Sequence, residues 1–126
     1  MQVREERETV SIDRLAALLG GDAQGAQEIL SLFLAEIPRY AQRFAVATSV
    51  PEFAGLVHRL RGSLLPLGLL TDAARLADIE LDARSSTTID GDAIRWIATL
   101  LPALAAETQQ QLDSRGSQRT RQGLKP

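Results

Sequence analysis

Apolar residues recur at intervals of three and four along the segment that follows Asp22, and this spacing constrains the fold more than any other feature. The apolar positions are Ile29, Leu32, Phe33, Ile37, Tyr40 and Phe44. Because 3.6 residues complete a helical turn, the pattern predicts one long helix with a single buried face. We expect Pro38 to bend or break this helix near Ala35, since proline removes an amide donor and crowds the preceding turn.

Four further helices are predicted from residues that favour helix ends. Each predicted start carries a Ser, Thr or Asp, whose side-chain oxygen can accept a hydrogen bond from the first turn. The four starts are Ser11, Ser49, Thr71 and the stretch from Asp90 to Asp92, and Asp22 starts the long helix in the same way. Gly20-Gly21 should end the first helix near Leu19, the fourth should run through Ala83, and Pro102 lies inside the fifth, which runs towards Leu112. No segment is typical of a strand and the connections are short. The expected fold is therefore all-α, an antiparallel up-down four-helix bundle with a short additional N-terminal helix.

Chain length and charge distribution indicate one domain with two tails. The chain has 126 residues, of which 44% are hydrophobic and 24% charged, as in an ordinary globular domain. We expect residues 1–10 to form a charged tail or linker and residues 11–112 to form the helical domain. Residues 113–126 carry a net charge of about +3, against about −5 for the rest, and contain few large apolar residues, so we expect a disordered basic tail. A nucleic-acid partner is not expected, because the body lacks a basic aromatic surface.

The counts of reactive side chains exclude most classes of catalytic site. Having no cysteine rules out disulfides, thiol nucleophiles and thiolate metal sites, and a single histidine leaves little for a histidine metal cluster. No pair of carboxylates or Ser-His arrangement is evident, so an enzyme with its own substrate is not expected. Nothing approaches 18 consecutive apolar residues and the first residues are charged. We therefore expect a cytoplasmic protein without membrane contact.

The only histidine, His58, lies in the stretch "LVHRLRGSLLPLG" of the predicted third helix. At about 100° per residue, its apolar neighbours share one direction, which must be the core face. They are Phe53, Leu56, Val57, Leu60, Leu64 and Leu67. His58 lies about 140° from that direction, with Gly62 at about 180°, Leu65 at about 120° and Ala54 at about 100°. This geometry predicts an exposed imidazole between two small residues, with Arg61 at its shoulder.

These residues carry a resemblance to a known family. The stretch "HRLRGSLLPLG", followed by "LADIELDAR", resembles the histidine-containing phosphotransfer (HPt) domain. The matching positions are His58, Leu60, Arg61, Gly62, Ser63, Leu67, Gly68 and the pair Ile79-Glu80. The stretch "LSLFLAEIP" is also similar to the second helix of that family. Two positions differ: Arg61 replaces the more usual Lys, and Pro66 replaces a polar residue, which should kink or stop the helix about two turns past His58.

The resemblance implies a carrier of phosphoryl groups in a two-component phosphorelay. His58 would accept a phosphoryl group from a receiver-domain aspartate and donate it to another, and Arg61 would stabilise the group. A neutral imidazole nitrogen is a suitable nucleophile for this step. The candidate partner-binding residues, chosen for their expected place around His58, are Ala54, Arg59, Gly62, Leu65, Ile37 and Ala41.

The implied partners are receiver domains of response regulators or of a hybrid sensor kinase. We expect no cofactor or metal bound by this chain, Mg²⁺ in the partner receiver domain, and a monomer. An alternative is a non-phosphorylated helical interaction module, or adaptor, on the same fold. The sequence also leaves open whether the chain is free-standing or the last domain of a hybrid kinase.

Overall fold

The computed structural model describes the backbone of residues 7–123 and the side chains of residues 7–115, and all of its regular elements are helical. The helices are α1 (Ile12–Leu18), α2 (Ala23–Val46), α3 (Val50–Leu64), α4 (Leu70–Arg84) and α5 (Gly91–Gly123), with a 3₁₀ turn at Leu65–Leu67. The all-α class is therefore confirmed over this range. None of these helices combines the length and apolarity that a membrane crossing requires.

Each of the first three helices starts with a side-chain N-cap at the predicted residue. Ser11, Asp22 and Ser49 each accept a hydrogen bond from the amide three residues further along the chain. These bonds satisfy amides that have no partner inside the helix. At the other end of α1, Gly20 and Gly21 adopt φ angles of +69° and +92°, which are unfavourable for other residues, and the helix stops there.

Helix α2 continues through Pro38 over all of its 24 residues. Of the two predicted outcomes near Ala35, a bend or a break, the break is therefore wrong, and the bend stays a prediction. Proline removes only one amide donor, and the buried side chains of Phe33, Ile37 and Tyr40 lie on both sides of it. Their shared burial keeps the two halves of the helix on one core.

The buried face of α2 differs in part from the predicted one. Leu32 is 66% exposed and Ile29 lies at the boundary of the core, whereas Leu30 is completely buried. Burial follows the alternating four-three spacing of Ala26, Leu30, Phe33, Ile37 and Tyr40. The two misassigned residues flank this stripe, and spacing alone did not separate the edge of the apolar face from its centre.

Helix α3 ends at Leu64, two residues before Pro66, which confirms the predicted stop. The 3₁₀ turn follows, and Gly68 then adopts a left-handed φ of +74°. Arg14 of α1 donates to the carbonyl oxygen of Leu67 at 3.2 Å, so this turn is tied to the N-terminal helix.

One continuous apolar core connects all five helices. α3 packs chiefly against α4, α2 packs chiefly against α5, and α2 also contacts α1 and α3. The largest completely enclosed side chains come from four helices and one loop; they include Leu30, Phe53, Leu60, Leu69, Leu76 and Leu104. Loss of such a side chain typically costs about 2–5 kcal/mol, because a cavity remains. The core therefore fixes the helices that carry His58 and its neighbours.

The folded region extends beyond the predicted boundaries at 11 and 112. Val10 is buried, and Arg7 bonds to Asp72 of α4 and Glu107 of α5, so residues 7–10 belong to the domain and not to a tail. Helix α5 continues to Gly123, beyond the predicted domain boundary at 112, and the expected disorder of the basic tail stays a prediction. No proline interrupts this stretch, and its Gln and Arg residues favour helix. The remainder of the two predicted tails, residues 1–6 and 124–126, lies outside the described residues.

Candidate functional site

His58 projects from the outer side of α3. Its side chain is 58% exposed. The neighbouring Val57 and Leu60 are completely buried. The predicted core face is confirmed, since all six of its members are buried: Phe53, Leu56, Val57, Leu60, Leu64 and Leu67. The predicted exposure of the imidazole is confirmed as well.

Glu80 of α4 holds the imidazole from one side. Nδ1 of His58 lies 3.1 Å from Oε1 of Glu80, whose side chain is only 13% exposed. The other oxygen, Oε2, accepts hydrogen bonds from Nε and a terminal nitrogen of Arg84 at 3.0 and 2.8 Å. Both carboxylate oxygens are therefore engaged, and the orientation of Glu80 is fixed.

Glu80 is a carboxylate at neutral pH. Burial acts to raise its pKa, but the hydrogen bonds from Arg84 and His58, together with their charges, outweigh burial and lower the pKa below its ordinary value. An ionised carboxylate can accept a hydrogen bond but cannot donate one. The partner atom, Nδ1 of His58, must then carry the proton.

Arg61 completes a cluster of three side chains. One of its terminal nitrogens lies 3.3 Å from Nδ1 of His58 and 3.8 Å from Oε1 of Glu80. A guanidinium can only donate, so Nδ1 cannot serve both neighbours, and the shorter contact with the carboxylate decides the tautomer. Nε2 then holds the free lone pair, and no described residue forms a hydrogen bond to it. The site thus presents an oriented nucleophile with a cation beside it.

The surface next to His58 is open at Gly62. A Cβ atom added there would meet nothing within 4 Å. Leu65, one turn further, is 47% exposed, and the side chain of Arg59 is exposed too. These three predicted partner-binding residues are accessible.

Two of the other three predicted partner-binding residues are not placed to join them. Ala54 is completely buried and Ile37 is 4% exposed, so neither offers its side chain to a partner. Helix α3 contacts both α2 and α4, so its buried face is wider than a single core direction suggested. Ala41 is exposed, but it lines a groove with Phe44 of α2 and Leu101 of α5. The expectation is corrected for Ala54 and Ile37, whereas for Ala41 it stays a prediction.

Two contributors, Glu80 and Arg84, were not among the predicted site residues. Glu80 was recognised only as part of a motif. It lies 22 residues from His58 in the sequence, so its contact with the imidazole was not predicted. The spacing of four between Glu80 and Arg84 was a usable signal, because such pairs meet on one side of a helix. A third contact also supports the site: Ser63 of α3 lies 2.9 Å from the hydroxyl of Tyr40 and joins α3 to α2.

Among the described residues, no group of three or more His, Asp or Glu side chains is placed to hold a metal ion. Comparison of the chain with protein-family models, with curated proteins and with solved structures finds no match. The site is therefore interpreted from its own geometry and chemistry.

Proposed function

We propose that this chain is a histidine phosphotransfer module of a two-component phosphorelay, built on an antiparallel four-helix bundle with a short additional N-terminal helix. His58 accepts a phosphoryl group from a receiver-domain aspartate and passes it to another receiver aspartate. One observation carries the proposal: Nδ1 of an exposed imidazole lies 3.1 Å from the carboxylate of Glu80. A proton on Nδ1 that is donated to this carboxylate leaves Nε2 free to react.

The transfer step balances without a further reactant. The lone pair of Nε2 attacks phosphorus, the bond between phosphorus and the aspartyl oxygen breaks, and the aspartate leaves as a carboxylate. The imidazole becomes a cation with a phosphoryl group on Nε2 and a proton on Nδ1. Glu80 stabilises that cation through the 3.1 Å contact, much as the aspartate of a Ser-His-Asp triad orients and stabilises its histidine.

Arg61 supplies the positive charge for the phosphoryl oxygens. Its guanidinium is one turn from His58 on the same side of α3, and its half-buried position restricts its movement. Charge-assisted hydrogen bonds of this kind contribute about 1.5–3 kcal/mol at most, and solvent reduces them. The receiver domain would contribute its aspartate and Mg²⁺, so this chain needs no nucleotide of its own.

Phosphoryl acceptance from a phosphorylated receiver domain tests the proposal. We expect the wild-type chain to acquire acid-labile, base-stable phosphate, and His58→Gln to acquire none. Because His58 is the only histidine, this substitution removes every imidazole from the chain. The side chain is mostly exposed, so helical content and melting temperature should stay close to wild type.

Two outcomes would contradict this reasoning. Loss of the fold in His58→Gln would contradict the placement of His58 outside the core. A wild-type chain that binds a receiver domain without acquiring phosphate would instead be an adaptor, and the phosphotransfer proposal would be wrong.

A further inference from the structure

Three arginines line two adjoining hollows between α2 and α3, and one of them, Arg59, directly follows His58 in the chain. Arg43 and Arg59 line both hollows, which have volumes of about 370 and 250 Å³, and Arg39 lines the smaller one. All three side chains are exposed. We refer to Arg39, Arg43 and Arg59 as the arginine cluster.

The arginine cluster is unpaired within the part of the chain that the structure describes. Ion pairs there involve the side chains of Arg7, His58, Arg61, Arg84 and Arg95, and none involves the cluster. Glu36 and Glu52 border the two hollows, but neither lies within ion-pair distance of an arginine. Three guanidinium groups around one groove repel each other modestly, and a partner with negative charge would relieve that repulsion.

The surface around His58 is electrically asymmetric as a result. On the α2 side, Arg59 follows His58 directly and the rest of the arginine cluster continues the positive surface. On the α4 side, the carboxylate of Glu80 is already neutralised by its cationic neighbours. The outer side of α4 carries the exposed carboxylates of Asp78 and Asp82. The unpaired arginine cluster therefore makes the α2 flank of His58 the more favourable one for a negatively charged partner.

Apolar surface accompanies the positive charge. Val46, at the border of the larger hollow, is 65% exposed. This mixture of charge and apolar surface is typical of a protein interface. Single-stranded nucleic acid, by contrast, is usually bound by exposed aromatic rings. The only ring at the groove, Tyr40, is buried.

We propose that the arginine cluster is the docking surface for a protein whose rim carries carboxylates beside an apolar patch, and that this protein approaches His58 from the α2 side. The inference rests on the proposed function, in which that protein is the phosphoryl-donating receiver domain. Charge complementarity over such a surface raises association rates by about tenfold or more at low ionic strength.

Charge reversal with a matched control tests the proposal. Arg43→Glu changes the cluster, and Arg95→Glu makes the same change of charge on α5, at an exposed position outside both hollows. The probe is a purified phosphorylated receiver domain that donates to the wild-type chain. At low salt we expect transfer to Arg43→Glu to slow by about tenfold and transfer to Arg95→Glu to change by less than about twofold. The difference should shrink at high salt, because screening weakens exposed charges.

A second donor separates this inference from the proposed function. Phosphoramidate phosphorylates imidazole without a protein surface, so Arg43→Glu should react with it as the wild type does. Equal receiver transfer in Arg43→Glu and Arg95→Glu, with phosphoramidate still modifying His58, would overturn the docking surface and leave the proposed function standing. A wild-type chain that accepts phosphate from neither donor would overturn both. Loss of binding to a short single-stranded DNA in Arg43→Glu, with receiver transfer unchanged, would assign the cluster to nucleic acid and also overturn the proposal.

Discussion

Glu80 and His58 meet across the interface of α3 and α4, with Oε1 of the carboxylate 3.1 Å from Nδ1 of the imidazole. The contact joins an almost buried acceptor to a mostly exposed ring. Both contacts of the ring involve Nδ1, and Nε2 forms no hydrogen bond with the described residues. The interface between two helices therefore determines which nitrogen of His58 is available for chemistry.

The Glu80→Gln variant should lose the negative charge of the carboxylate, and the ring of His58 should be held less firmly in its orientation. In the folded chain the pKa of Glu80 is lower than its ordinary value of 4.5. The ionised carboxylate therefore stabilises the fold at pH values above 4.5. This contribution is lost as the pH falls through the folded pKa. We expect Glu80→Gln to be less stable than wild type at neutral pH by about 1 kcal/mol or less after solvent screening. The difference should vanish in acid.

Urea unfolding at neutral and acidic pH measures this dependence. Glu28→Gln is the matched control, because Glu28 is exposed on α2 and forms no hydrogen bond or ion pair with the described residues. A difference between wild type and Glu80→Gln that stays constant with pH would show that the charge of Glu80 does not stabilise the fold. Slower phosphoryl acceptance is expected in Glu80→Gln at neutral pH.

The Gly62→Leu variant should fold well and transfer poorly. Leucine is a better helix former than glycine by roughly 0.5–1 kcal/mol, and a side chain there meets open space. The same side chain would obstruct a partner that approaches His58. Transfer rates and urea unfolding measure the two effects, and Gly62→Ala serves as the control because it improves helix propensity with little added bulk. Wild-type transfer in Gly62→Leu would show that a partner does not approach His58 over Gly62.

Arg61 variants distinguish a role in phosphoryl stabilisation from an ordinary surface charge. If its guanidinium contacts the phosphoryl group, Arg61→Lys should transfer almost normally. Arg61→Ala should lose a charge-assisted contact that contributes up to about 1.5–3 kcal/mol before screening. Its loss should slow transfer or shorten the lifetime of the phosphohistidine. Rates from one phosphorylated receiver domain measure the effect. Equal rates for Arg, Lys and Ala would remove Arg61 from the site.

The Arg7→Ala variant should destabilise the fold without changing the chemistry of His58. Arg7 donates to Asp72, which is 3% exposed, and to Glu107 at 2.7 Å. Its removal leaves a buried carboxylate without its main partner, and we expect a loss of about 1–3 kcal/mol. Urea unfolding measures the loss, with Arg95→Ala as the control for an exposed pair. Adding Asp72→Asn to Arg7→Ala should recover part of the stability, because it removes the uncompensated charge.

Local signals predicted the helices and the exposure of His58 well. Caps such as Ser11 and Ser49 act through hydrogen bonds within three residues, and the stop at Pro66 follows from a missing amide donor. The position of His58 followed from the angle between residues on one helix. These are properties of a short segment, and a sequence displays them directly.

Features that depend on neighbouring helices were harder to predict. The burial of Ala54 depends on how closely other helices approach α3, and the contact of Glu80 with His58 depends on the alignment of α4 along α3. Arg7 is similar, because its partners lie 65 and 100 residues away. Periodicity assigns a residue to a face of its own helix but does not identify what covers that face.

The single imidazole also makes the α3–α4 contact observable by spectroscopy. A shift of α4 by one residue along α3 would rotate Glu80 by about 100° and separate it from the ring. The proton would then redistribute between the two ring nitrogens, whose ¹⁵N chemical shifts differ between tautomers. Since no other histidine contributes a signal, the ring resonances of His58 report the register of two helices directly. Core substitutions far from the surface, such as a shortened Leu76, are expected to be visible in this one side chain.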